Sequence, residues 1–172
     1  EDVTKIGNDT IEVPSSGERF TGKDINSRKK LIEVLKNYEN QIDPKDKKQK
    51  EIAFDRLVEE VAYTWFNRLV AIRFMEVNNY LPGRLRVLSS ESGVREPDII
   101  TNILSSDLYS EMDVASQNRV VELMDDNSAE AVDELYQLVF IKQCNSLNKQ
   151  LPDLFEHIDD YTELLFTVSY ID

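Results

Sequence analysis

Residues 59–90 read E-E-V-A-Y-T-W-F-N-R-L-V-A-I-R-F-M-E-V-N-N-Y-L-P-G-R-L-R-V-L-S-S and hold the only tryptophan and the densest apolar run of the chain. Val58, Val61, Ala62, Trp65, Leu69, Ile72 and Val77 recur at three-and-four spacing, while Phe66, Val70, Phe74 and Met75 place apolar groups on the flanking faces. A helix that is apolar over most of its circumference is expected inside a bundle. It must stop by Tyr80, because Leu81-Pro82-Gly83 removes a backbone donor and disfavours helical geometry at the preceding residue. It starts near Glu51, or at Pro44 if Asp43 acts as N-cap with proline at the first helical position. At ~1.5 Å per residue it would be about 40 Å long.

On the N-terminal side, residues 1–23 are polar, rich in Gly and Ser, and read as an arm or loop with a short extended piece at 10–13. A first helix is expected over 25–41, with Leu31, Ile32, Leu35, Tyr38 and Ile42 on one side. The lysines of 45–50 are either a solvated charge run or a basic patch. Beyond Gly83, the alternation of residues 84–88 suits a short strand or extended segment, and 89–96 suit a loop. Short helices are expected over 97–104 and 113–124. Asn127 with Glu130 has the form of a capping box opening a helix over 128–147, which Leu151-Pro152 ends, and a last helical turn or two follows within 153–165. The expectation is an all-α fold: an irregular helical bundle around one long central apolar helix, with a short extended segment after it. Residues 24–172 form the helical domain behind the 1–23 arm.

The 172 residues suit one domain and can bury a core. No apolar run is long enough to span a bilayer and no signal segment opens the chain, so no membrane partner and a cytoplasmic location are expected. The single Cys144 cannot form an internal disulfide. The first residue is not methionine, which reads as a piece of a longer protein. Net charge is −13, unevenly spread: residues 96–172 hold 3 Lys and Arg against 17 Asp and Glu. Phosphates repel such a surface, so this half suits solubility or a basic protein partner better than DNA.

The run from Ala62 to Pro82, followed by Arg86 to Ser90, resembles the N-terminal region of the PglX-type adenine-specific DNA methyltransferases of bacterial BREX phage-defence systems. The likeness continues more loosely through Glu96-Pro97-Asp98-Ile99-Ile100 and through residues 140–166. The resemblance implies a parent that transfers a methyl group from S-adenosylmethionine to adenine N6 in double-stranded DNA. This chain would be its helical N-terminal domain, partnered by the catalytic domain of the same polypeptide and in reach of other defence-system proteins.

The chemistry of such a parent is missing from these residues. The five glycines never form G-x-G, and no Asn-Pro occurs that could begin the motif holding a flipped adenine. No cofactor, metal or catalytic residue is therefore expected in this chain itself. His157 and Cys144 supply neither a zinc site nor a nucleophile and base, and read as a surface or satisfied histidine and a buried small hydrophobe. Downstream of Pro97-Asp98 the lysines are Lys142 and Lys149, preceded two residues earlier by Phe140 and Leu147, so the carboxylate of a nuclease motif is absent. Asp125-Asp126 and Asp159-Asp160 read as solvated helix ends ahead of a divalent-ion site. The polar residues of the long helix need partners: Asn67 and Glu76 suit a structural network, with Arg73 three residues before Glu76 for an ion pair. Arg68, Arg73, Arg84 and Arg86 are the candidates for an interdomain or DNA-facing surface. Tyr63 and Trp65 can stack on bases or belong to the core.

Overall fold

The computed structural model describes residues 4–5, 10–12, 19–21, 23–43, 45–46, 48–126, 128–152 and 154–155. Among the described residues the fold is all-α, built from six helices, with a small antiparallel ladder near the start. These are α1 Lys23–Asn40, α2 Gln49–Val77, α3 Asp98–Thr101, α4 Asp107–Glu111, α5 Val114–Asp125 and α6 Ala129–Asn148. The ladder joins β1 Thr4–Lys5, β2 Thr10–Glu12 and β3 Arg19–Thr21 in sequential order, within a segment that reads as arm or loop; β2 coincides with the expected extended piece. The described residues fall into two compact units that meet in sequence at Tyr63 and Thr64, so α2 supplies its first half to one and its second half to the other.

In the first unit, α1 begins two residues before its expected start and presents Leu31, Ile32, Leu35 and Tyr38 half-buried. The Tyr38 hydroxyl donates to the Glu60 carboxylate of α2, and Gln49 Nε2 donates to the Glu39 carbonyl at 2.6 Å. The Asp43 carboxylate accepts from the Lys45 amide at 2.9 Å. It therefore fastens a turn and does not cap α2, which begins at Gln49. Lys45, Lys48 and Lys50 are exposed. Ala53, Leu57 and Val61 are the buried face of α2 here.

In the second unit, α2 ends earlier than Pro82 requires. Asn79 adopts φ 57°, the Tyr80 amide donates to the Met75 carbonyl at 2.7 Å, and the Asn79 amide donates to the Glu76 carbonyl at 3.2 Å. This pair of bonds around a left-handed asparagine is a Schellman ending, and the Phe74 and Tyr80 rings, 6.1 Å apart, supply its apolar contact. The helix stops because Asn79 reverses the chain; the proline only follows.

The expectation that α2 is enclosed on most of its circumference is corrected. Trp65, Arg68, Ile72, Met75 and Glu76 are buried, whereas Phe66, Val70, Phe74 and Val77 are exposed. The most enclosed helix is α6. Its nine buried residues include Leu135, Tyr136, Val139, Phe140 and Leu147, and it packs on α3, α4 and α5. Trp65 reaches Phe140 with ring centroids 6.1 Å apart, which ties the second half of α2 to α6. The N-cap of α6 is Ser128, whose side chain accepts from the Ala131 amide, one residue after the expected Asn127, which lies outside the described residues. The expected helix over 97–104 is α3 and then a 3-10 turn at Ile103–Ser105, and α4, capped by Ser106, is an element that spacing alone does not predict. The expected helical turns within 153–165, with His157 and Asp159-Asp160, lie outside the described residues apart from Leu154 and Phe155.

Candidate functional site

Two polar residues of α2, Arg73 and Glu76, converge on the segment that follows it. Residues 85–90 form no strand, and the amides of Val87 and Leu88 are met by a carboxylate instead of a neighbouring chain. Glu76 is buried on the last turns of α2, and one of its oxygens accepts from the amides of Val87 and Leu88 at 2.9 and 2.8 Å. The other accepts from Ser89 Oγ at 2.5 Å and Arg73 Nη1 at 2.6 Å. The spacing of three from Arg73 to Glu76 puts both on one side of the helix. Arg73 also reaches Ser89 Oγ at 3.2 Å while its side chain stays more than half exposed. From the other side, the Tyr136 hydroxyl donates to the Val87 carbonyl at 3.2 Å. A buried carboxylate is tolerated only when its lone pairs are met, and here two backbone donors, a hydroxyl and a guanidinium meet them.

A second carboxylate repeats the device. Asp98, at the start of α3, accepts from Ser90 Oγ at 2.8 Å and from the Glu91 amide at 3.0 Å. The Ile99 amide donates to the Arg86 carbonyl at 2.9 Å. Asp98 therefore has a structural task, unrelated to nuclease chemistry. The serines of 89–90, which read as plain loop in the sequence, carry the signal for this arrangement: small hydroxyl residues beside a carboxylate-bearing helix end favour such side-chain-to-backbone closure.

The four candidate arginines do not share one face. Arg68 is buried, its guanidinium carbon 4.9 Å from the centre of the Trp65 ring. Such a cation over an indole stabilises the core of the unit and is withdrawn from any surface. Arg73 is engaged by Glu76. Arg86 is half-buried in the pinned segment. Arg84 is exposed, with φ 54°, after Gly83 at φ 62°, and lines a hollow of about 310 Å³ with Glu91, Asp98, Asp107 and Glu111. Asn67 is half-buried on α2, and Tyr63 is exposed while Trp65 is core.

Among the described residues no group of three or more His, Cys, Asp and Glu is placed to hold a metal ion, and no helix is long and apolar enough to cross a membrane. Asp126 accepts from the Ser128 amide at 3.0 Å, which holds its carboxyl below the usual range and ties it to the α6 start. Burial pushes the Cys144 thiol up to about 12, with the nearby positive charge of Arg68 opposing that shift, so the group is a neutral thiol and not a nucleophile at ordinary pH. Asp113 caps α5 by accepting from the Ser116 amide at 2.9 Å and Oγ at 2.7 Å, and pairs with Lys142 at 3.0 Å; these bonds hold its carboxyl well below the usual range.

What fold and geometry define is a helical module whose polar groups hold its own loops in place and which carries an uncovered apolar helix face. No family model matches the chain. It is 41% identical over 170 residues to the adenine-specific methyltransferase PglX of Lacticaseibacillus casei (strain Zhang), which covers 96% of this chain and 14% of that relative. It is 37% identical over 120 residues to the adenine-specific methyltransferase BrxX of Escherichia coli O9:H4 (strain HS), covering 69% of this chain and 10% of that relative. The chain is homologous to the N-terminal region of the PglX-type adenine-specific methyltransferases, and spans a small part of the length of the two relatives it matches.

Proposed function

We propose that this chain is the non-catalytic helical N-terminal domain of an adenine-N6-specific DNA methyltransferase of the restriction-modification or BREX phage-defence type, acting in the cytoplasm. The parent takes its methyl group from S-adenosylmethionine, and the domain packs on the catalytic core of the same polypeptide and helps to shape the DNA cleft. The observation that carries this reading is the identity along 96% of the chain to one small segment of a methyltransferase, in a sequence with neither G-x-G nor Asn-Pro. The cofactor and the target base belong, on this reading, to the rest of the polypeptide.

Of the four candidate arginines, Arg84 and Arg86 are left for DNA once Arg68 is buried and Arg73 is held by Glu76. The test is the anisotropy of a fluorescent duplex titrated with the full polypeptide at low and at physiological salt, as wild type and as Arg84→Ala/Arg86→Ala. Removing one cation that neutralises a phosphate lowers the salt slope by about 0.9, so the double variant is expected to bind more weakly with a slope reduced by up to ~2. Unchanged affinity and slope would remove the cleft-shaping role. A second reading, a protein interaction module of the defence complex without DNA contact, is favoured by one observation: Arg84 shares its hollow with four carboxylates.

A further inference from the structure

The face of α2 that points away from the core of the second unit is apolar and uncovered. Phe66, Val70, Phe74 and Val77 stand on it, with Tyr80 edge-on to Phe74 just past the helix end, and each is between 52% and 63% exposed. At ~100° per residue the four helical positions fall within about 80° of arc, which makes a straight stripe. Across residues 64–77 the charged side chains are Arg68, Arg73 and Glu76; the first and last are buried, and Arg73 leans to Glu76 at the rim. With ~150–250 Å² for a whole aromatic side chain, these five half-exposed groups offer roughly 500 Å² of apolar surface. That is in the range of about 300–600 Å² of the largest apolar patch on a typical monomer, which is often functional.

We propose that this stripe is the surface by which the module docks on the remainder of its own polypeptide, against an apolar, uncharged face of the methyltransferase body. The proposal rests on the function proposed above and names the contact surface. Two observations select this occupant over a second copy. About 500 Å² per side gives about 1,000 Å² in total, within the ~600–1,500 Å² of interfaces between domains of one chain. It falls short of the ~1,200–2,000 Å² of free-standing specific complexes, and covalent linkage makes up the difference through effective concentration. The relatives also carry most of their length outside the matched region, since the match spans 14% of one and 10% of the other.

The test is site-specific photo-crosslinking in the purified full polypeptide, with benzoyl-phenylalanine replacing Phe66 or Phe74. Val114 of α5 and Leu104, both exposed on other elements, serve as control positions. A mixture of isotopically light and heavy protein separates crosslinks within one molecule from those between two. Crosslinks from 66 and 74 into the methyltransferase body of the same molecule, and none from 104 or 114, are the expected result. Crosslinks to the body from 104 or 114 alone would overturn this surface and leave the proposed function standing. No body crosslink from any position would overturn both, and light-to-heavy crosslinks from 66 and 74 would assign the stripe to self-association instead.

Discussion

Cutting Glu76 back to alanine removes the acceptor for two backbone amides at once. The carboxylate takes the Val87 and Leu88 amides at 2.9 and 2.8 Å, and Val87 is fully buried. A buried donor left without a partner costs about 1–3 kcal/mol; Leu88, half-buried, sits at the low end of that range. The Arg73 side chain is 54% exposed and regains water, so its share is small. Freeing a buried carboxylate from its desolvation offsets part of the loss. The net expectation for Glu76→Ala is about 2–3 kcal/mol, or a fall in Tm of roughly 4–12 °C at ~2–4 °C per kcal/mol for a chain of this size. Glu76→Gln keeps a carbonyl oxygen for both amides and an N–H for Ser89, and is expected to cost about 1 kcal/mol. Urea denaturation followed by Trp65 fluorescence gives both numbers, and amide exchange at Val87 and Leu88 reads the local effect. If the alanine variant were as stable as the glutamine variant, within about 0.5 kcal/mol, the carboxylate would not be what pins the segment.

Trp65→Ala empties the junction with Phe140 and is expected to cost about 3–5 kcal/mol in urea denaturation followed by far-UV circular dichroism, since it removes the only tryptophan. Cys144, with its thiol pushed up to about 12, is expected to resist a thiol reagent at pH 8 in the native state and to react once urea unfolds the chain. The raised folded value also means that its contribution to stability is complete below the unfolded value and lost as pH rises from about 9 towards 12, so Cys144→Ala should flatten an alkaline denaturation profile there. Asp113 has a depressed folded value, so its stabilisation is present above the unfolded carboxylate range and lost as pH falls below it. Asp113→Ala should therefore melt lower than wild type near pH 7, with the gap closing in strong acid, while Asp113→Asn retains a capping oxygen and lies between. Ser128→Ala removes the α6 cap and is expected to cost about 1 kcal/mol, where Asn127→Ala should cost less.

The longer helices of the described residues were legible because periodicity and caps act locally. The long helix, α5 and α6 were each announced by apolar spacing, and Ser128, beside the expected Asn127, does cap α6. What spacing does not reveal is which apolar face is covered. In the second half of α2 both the Trp65-Ile72 side and the Phe66-Phe74 side are apolar, and a sequence reader assigns both to a core. The end of α2 escapes the sequence for a related reason: Pro82 is conspicuous, whereas a left-handed Asn79 is visible only in the backbone. The pairing of Arg73 with Glu76 followed from their spacing, but the bonds of Glu76 to residues 87–89 cross a turn and leave no periodic trace. The four arginines look alike in sequence; burial sends Arg68 to the core and leaves Arg84 in a hollow lined by carboxylates.

The central claim is that this domain serves a methyltransferase body without performing the chemistry. Transfer of a labelled methyl group from S-adenosylmethionine to duplex DNA tests it most directly, using the full polypeptide, the polypeptide lacking residues 1–172, and the truncated form with this chain added back in trans. The account predicts methylation of adenine by the full polypeptide, its loss on truncation, at least partial recovery on addition of the chain, and none from the chain alone. A truncated protein as active as the full one, or methyl transfer by the chain alone, would contradict it.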